Sequence, residues 1–307
     1  MAEGYGYGKV ILFGEHFVVY GLPAIASAIS DITIATIEKS DKYELVDNRP
    51  ATEGYKVTKK GEMERSMKLL LDFMKIDVEK TPVKITLFGN LFCTSGIGAS
   101  AAMATSIARA FSDYFKLNLN DEQINRISYE GEKGSAGTPS GIDNTCATFG
   151  GLLWFRKGEP NQIELIKIKK PIEIVMGNTG LTSETKEVVA DVRKKKEANP
   201  EYFDKIFAEE EKLVKEARAA LESGDVKRIG ELMNKNHGML QKIGVSCKEL
   251  DFLVNLAKEN GAFGAKLTGT GRGGYMVALT PGKALQDRVA AAIEKEGFMV
   301  MKTKIVV

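Results

Sequence analysis

The sequence has 307 residues, with 43 Lys or Arg, 41 Asp or Glu and two His, giving a formal charge of +2. So even a balance leaves no field to recruit nucleic acid, and shares of 43% hydrophobic and 27% charged residues are those of an ordinary globular chain, long enough for about two domains. No apolar run approaches the roughly 20 residues of a membrane span and MAEGYGYGK lacks a secretory apolar segment, so no membrane partner and a cytoplasmic protein are expected.

From Gly8 the pattern reads as strands: KVILF, then FVVY, then the β-branched ITIATI ending at Ile37, with a turn at Gly21-Leu22-Pro23. The charged stretch from Lys39 to Lys60 is expected to be exposed. In Glu62 to Ile76 the spacing of Met63, Met67, Leu70, Leu71 and Met74 predicts a helix with one apolar face. A strand predicted over Pro82 to Phe88 feeds the run CTSGIGASAAM, Cys93 to Met103, and a helix from about Ala99 to Phe115. Asn120-Asp121 predicts an N-cap opening a helix that ends at Gly134. The segment from Gly137 to Gly151 is rich in turn residues until the strand-like LLWF.

After a charged stretch from Arg156 to Lys170, a new strand begins at Ile172, which places a domain boundary near residue 170 and divides the chain into 1–170 and 171–307. Four helices are predicted over Ser183 to Ala198, Phe203 to Ser223, Asp225 to Ile243 and Ser246 to Asn260. Gly264 to Leu279 predicts two strands around a glycine turn, and a helix from Lys283 to Glu296 and a strand from Phe298 to Val307 close the chain. Strands and helices in this order predict an α+β architecture.

Three constellations carry chemistry. The glycines of Gly96-Ile97-Gly98 free the backbone to approach an anion, and the following helix aims its unpaired N–H groups at the same spot; Ser100 lies in reach of a phosphate or a cation. A loop whose small residues merely permit close packing is the alternative. Upstream, GKVILFGEHFVVYG carries Lys9 on a strand and presents Glu15 and His16 in a turn, groups that are costly to bury unless they face a ligand or each other. Downstream, Glu132 and the loop Thr138 to Asn144 place two acids where one can orient or deprotonate a hydroxyl and the other hold Mg²⁺. For Asp143 a turn-stabilising role is the alternative.

GTGRGG, Gly269 to Gly274, fits G-x-G-x-x-G in letters only, because a strand pattern follows where a dinucleotide site needs a helix. The chain has no G-x-x-x-x-G-K-[ST], H-E-x-x-H or G-x-S-x-G. Cys93, Cys146 and Cys247 are few, odd in number and dispersed, which argues against a disulfide framework and, with His16 and His237 the only histidines, against a zinc centre.

Together GKVILFGEH, SGIGASAA and KLTGTGRGG, in that order and spanning nearly the whole chain, resemble the three motifs of the GHMP small-molecule kinases. The resemblance implies a two-domain fold with a ribosomal protein S5 domain 2-like N-terminal domain for ATP binding and catalysis and a ferredoxin-like C-terminal domain. It implies ATP as co-substrate and Mg²⁺ as cofactor. Asp143 would be the catalytic acid/base and Lys9 the cation beside it, with Ser100 and Glu132 on Mg²⁺. Thr94, Ser95, Gly96, Ile97, Gly98, Ala99, Ser100 and Ala101 would form the ATP phosphate loop, and Glu15, His16 and Thr268 would face the acceptor. GEHFVVYG, PSGIDN and TFGG are similar to the branch whose acceptor is mevalonate, phosphorylated on its 5-hydroxyl for isoprenoid synthesis, and family members are often homodimers.

Some positions depart from the family pattern. Tyr7 stands where a proline commonly precedes Gly-Lys, Thr94-Ser95 replaces a proline-containing entry, Ala99 replaces the first serine of the loop, and Arg272 interrupts a glycine run. Arg272 could meet a phosphate, a carboxylate or solvent. Another acceptor (phosphomevalonate, a sugar, homoserine) or a nucleotide sensor without catalysis remain alternatives.

Overall fold

The computed structural model describes residues 1–137 and 139–305, so the expectations that include Thr138, Val306 and Val307 fall in part outside the described residues. Two compact units make up the chain: Met1–Lys9 with Ala28–Gly150, and Val10–Ser27 with the chain from Gly151 onward. The path therefore crosses between units three times, where the sequence suggests one boundary near residue 170. The reason is strand length: β1 (Ala2–Phe13) and β2 (Pro23–Lys39) are each long enough to serve both units.

In the first unit β3 (Glu44–Asp47) and β4 (Val83–Gly89) join the sheet in the order β3-β4-β2, with β1 on β2. β4 runs antiparallel to β2, from Thr33 opposite Gly89 to Lys39 opposite Val83, and parallel to β3. Among the described residues four helices complete the unit: α1 (Tyr55–Met74), α2 (Ala99–Tyr114), α3 (Asp121–Ala136) and α4 (Ile142–Phe149). Alternation along β2 and β4 turns Ile37, Ile85 and Leu87 inward, where they meet Met67 and Leu70 of α1, Ile107 and Phe111 of α2, and Ile124 of α3. Met63 and Met74 pack against this core half-buried, so the apolar face read from the sequence is the one that is covered.

The alternating glycines at the start of the chain have a packing cause. A Cβ at Gly4 would lie 2.3 Å from the Ser106 carbonyl oxygen, and one at Gly6 2.3 Å from that of Ala102. β1 thus lies directly on the backbone of α2, along a row of small residues four apart, Ala102, Ser106 and Ala110. The N-cap of α3 is a full capping box: Asn120 Oδ1 accepts from Gln123 N–H and Gln123 Oε1 accepts from Asn120 N–H, both at 3.0 Å.

The second unit is built on an antiparallel sheet in the order β10 (Met299–Ile305), β7 (Ile172–Asn178), β9 (Tyr275–Leu279), β8 (Gly264–Thr268). Its helices are α5 (Thr185–Ala198), α6 (Pro200–Ser223), α7 (Val226–Lys242), α8 (Lys248–Glu259) and α9 (Lys283–Lys295), and α7, α8 and α9 pack on the sheet. Every residue of β8 and β9 is buried. A further ribbon, β5 (Leu152–Arg156), pairs on one side with Pro23–Ser27 of β2 and on the other with β6 (Gln162–Ile166).

Several local expectations are corrected. FVVY is a single 3-10 turn, Phe17–Tyr20, not a strand. Its β-branched and aromatic residues favour strand, but Gly14 and Gly21, both with φ above +80°, reverse the chain on either side. The stretch 39–60 contains β3 and the start of α1, and 156–170 contains β6. The segment read as a turn-rich loop forms α4, which begins one residue before Asp143.

Candidate active site

The glycine loop and the strand before it are locked together. Lys9 N–H donates to the Ile97 carbonyl at 2.9 Å, and Gly98, at φ 73°, is the N-cap of α2. A Cβ there would meet Lys9 Cγ at 2.8 Å, so only glycine lets the loop lie on the lysine stem. Of the eight loop residues, Thr94, Ile97, Ala99 and Ala101 are buried and supply backbone, while Ser95, Gly96, Gly98 and Ser100 are open or half-open to a ligand. Gly96, at φ 97°, has open space where a side chain would be. The first N–H groups of the sixteen-residue α2 have no partner within the helix and face the loop, an arrangement suited to an anion.

Asp143 reaches the same region from α4. Gly141 caps that helix in the left-handed conformation, φ 91°, which sets Asp143 in the first turn, where the helix dipole favours a negative charge. Lys9 Nζ lies 2.8 Å from Asp143 Oδ1. The lysine side chain is 9% exposed and the carboxylate 35%, so the pair presents its acid outward. Burial opposes the Lys9 charge, but the Asp143 carboxylate outweighs it and holds the ammonium above its ordinary range.

Glu132, near the end of α3, completes the cluster. Burial, and then repulsion from Asp143, push its carboxyl up to about 8 despite Lys9 and an N–H from Asn144. Ser100 Oγ is 2.9 Å from Ser135 Oγ, and Ser135 in turn donates to the Glu132 carbonyl at 3.1 Å, so α2 and α3 are bridged at their facing ends. Lys9, Ser100, Glu132 and Asp143, distant in sequence, thus gather around one loop. Cys146, buried nearby, has its thiol pushed up by burial and by Asp143, which leaves it inert.

A small open cleft of about 50 Å³ adjoins Ala99 and Ser100, lined also by Asp47, Arg49, Tyr55, Lys56, Met63 and Met103. Arg49 grips Asp47 through Nε (2.9 Å) and a terminal nitrogen (2.7 Å) and donates to the Ala99 carbonyl at 3.2 Å. Lys56 Nζ donates to the Asp47 carbonyl at 2.7 Å. Sequence reasoning missed these groups, because they lie in a stretch read as a solvated charged surface.

In the second unit the three residues assigned to the acceptor are also drawn together. Glu15 is ion-paired with Lys266 of β8, and both side chains are fully buried. His16, at φ 61°, places Nε2 2.6 Å from the Thr270 carbonyl, and burial lowers its pKa. Thr268 Oγ1 donates to the Ile11 carbonyl at 2.9 Å and accepts from Ile11 N–H at 3.2 Å. Arg272 is committed within the unit: it pairs with Asp191 and donates from Nε and a terminal nitrogen to the Gly244 carbonyl at 3.2 and 3.0 Å.

Residues 63–151 match the GHMP kinases N-terminal domain, and residues 217–298 the GHMP kinases C-terminal family. The chain belongs to the GHMP kinases. It is similar over nearly its full length to the mevalonate kinases of Pyrococcus abyssi (38% identity, 97% of this chain, 93% of that one) and Thermococcus sibiricus (37%, 97% and 94%). The crystal structure of L. major mevalonate kinase in complex with R-mevalonate matches with a TM-score of 0.96 at 39% identity, covering 99% of this chain and 96% of that one.

Proposed function

We propose that the chain is a mevalonate kinase, transferring the γ-phosphoryl group of ATP to the 5-hydroxyl of mevalonate. The observation that carries the catalytic part is the Lys9–Asp143 pair beside a glycine loop at a helix N-terminus. Full-length relatives that are mevalonate kinases support the acceptor.

Phosphoryl transfer asks for positioning and charge neutralisation more than for covalent chemistry. In the proposed step the acceptor oxygen bonds to the γ-phosphorus as its bond to the bridging oxygen breaks, ADP leaves, and the hydroxyl proton passes to the Asp143 carboxylate. Lys9, 2.8 Å from Asp143 Oδ1, orients that carboxylate and stabilises charge on the transferred group. The loop from Thr94 to Ala101 and the N–H groups of α2 hold the phosphates. The cleft behind Ala99, with Arg49 and Lys56, is assigned to the rest of the nucleotide. Glu15, His16 and Thr268 are assigned to binding the acceptor.

The donor set fits Mg²⁺. Ser100 and Glu132 offer hard oxygen ligands, and a buried carboxyl raised to about 8 beside a second acid is one that an added cation would relieve. Ser100 and Glu132 would hold the ion. When bound it would supply neutralisation of charge on the phosphates.

Phosphomevalonate as acceptor would call for further basic groups, and Arg272 is already engaged by Asp191 and Gly244. A cytoplasmic location and a homodimer belong to the same proposal; among the described residues no helix is long and apolar enough to cross a membrane. The deciding experiment is ADP release, coupled to NADH oxidation, with mevalonate, phosphomevalonate, galactose and homoserine in turn. Mevalonate should be the preferred acceptor by at least about 100-fold in kcat/KM, which corresponds to roughly 3 kcal/mol of discrimination. Equal rates on several acceptors would defeat the assignment.

A further inference from the structure

The turn Gly14–His16 is clamped from within the second unit by side chains given no role above, one of them the lysine that opens KLTGTGRGG. Lys266, fully buried on β8, binds Glu15 and donates from Nζ to the Leu267 carbonyl at 2.7 Å. Glu210, fully buried on α6, accepts the Gly14 N–H, and Asn236 Nδ2 of α7 donates to both of its carboxyl oxygens at 2.7 Å. His16 is tied to Thr270. Two carboxyls, Glu15 and Glu210, therefore share the neighbourhood of one ammonium, with no solvent to screen them.

We propose that Lys266 and Glu210 are positioning residues for acceptor binding, holding the Gly14–His16 turn in shape and acting on the acceptor only through that turn. The inference rests on the assignment of Glu15 and His16 to mevalonate. Lys266, Glu210 and the Glu15 carboxylate between them are all closed off from a ligand, so they act by shaping the turn and not as catalytic residues.

The clamp is balanced when it holds one carboxylate against one ammonium. Burial, relieved in part by Asn236, pushes Glu210 up to about 8, so below that pH it is mostly protonated. Above it the ionised group sets a second negative charge against Glu15, competes for Lys266 and opposes binding of an acceptor that is itself a carboxylate. The other titratable groups facing the cluster are His237 of α7, lowered to about 4 by burial, and His16, also lowered by burial. Lys266, lowered by burial against the pull of Glu15, is common to wild type and variant.

The test compares wild type with Glu210→Gln, which keeps the shape of the side chain and removes the titration. Mevalonate dissociation constants by calorimetry, and KM for mevalonate and for ATP, are measured from pH 6.5 to 9.5, with melting curves at each pH. Expected is a five- to tenfold weakening of mevalonate binding in wild type above about pH 8, absent in Glu210→Gln, with KM for ATP moving alike in both. Superimposable mevalonate profiles, or a variant that shifts the ATP and mevalonate constants equally, would overturn the positioning role while leaving the kinase reading intact. Wild type that binds no mevalonate at any pH would overturn both. Lys266→Met, if folded, should raise KM for mevalonate at least tenfold with KM for ATP within threefold.

Discussion

A Cβ placed on Gly98 would stand 2.8 Å from Cγ of Lys9, at a residue with φ of 73°. Gly98→Ala therefore incurs about 1–2 kcal/mol of left-handed strain and displaces the lysine stem. A drop in kcat of more than about tenfold is expected, against a fall in Tm of only a few degrees. Unchanged turnover would show that the loop does not set the position of Lys9.

Removal of the proposed base should separate chemistry from binding. Asp143→Asn is expected to lower kcat by about 10³-fold or more, with ATP affinity within about threefold of wild type. Near-normal kcat would take Asp143 out of the mechanism. Lys9→Met should cost turnover and also stability, because Glu132 and Asp143 then face each other without their cation.

Ser100→Ala should shift the Mg²⁺ titration of kcat/KM to higher concentration while leaving activity recoverable at saturating metal. Ser100 also bonds to Ser135, so Ser135→Ala serves as a control for that hydrogen bond. A metal curve unchanged in Ser100→Ala, or shifted as far in Ser135→Ala, would remove Ser100 from the ligand set.

Asn120→Ala breaks one half of the capping box of α3 and should cost about 1 kcal/mol, read as a fall in Tm of about 2–4 °C, with kcat unaffected. A larger loss, or one that reaches activity, would mean that α3 is held chiefly at this end.

Stability should depend on pH through Glu210. Its ordinary pKa of 4.5 rises to about 8 in the fold, so the unfolded chain loses that proton first and the contribution, fully present below pH 4.5, disappears as pH rises through about 8. Wild type should therefore lose Tm relative to Glu210→Gln across that window. A constant difference between the two melting curves would contradict the raised pKa.

The elements legible in the sequence were those with a local cause. The capping box Asn120 to Gln123, the spacing of Met63 to Met74 and the glycine hairpin between β8 and β9 each follow from neighbouring residues, and the structure has all three. Lys9, Ser100, Glu132 and Asp143 stand out in the sequence beside glycine turns, and the fold brings them near one another; the roles given to them belong to the proposed mechanism. The 3-10 turn at Phe17 was not, since its composition favours strand and only Gly14 and Gly21 decide otherwise. Glu210 left a signal that was overlooked. It falls on the apolar stripe of α6, at helical spacing from Phe203, Ile206, Phe207, Leu213 and Val214, where a carboxyl must find a partner. Lys266 left a similar one, in a short strand with apolar neighbours on both sides. Arg49 left none, because its partners Asp47 and Ala99 are revealed only by the fold.

The double use of β1 and β2 bears on how the protein can be divided. No single cut yields two self-sufficient fragments: a piece starting at Gly151 lacks residues 10–27, and with them the partner that β5 pairs with along Pro23–Ser27. It would also deprive the buried ammonium of Lys266 of its ion-pair partner Glu15. Each half thus keeps a short loan from the other's stretch of chain, and a split version should recover order only when the missing peptide is supplied in trans or the termini are re-drawn by circular permutation.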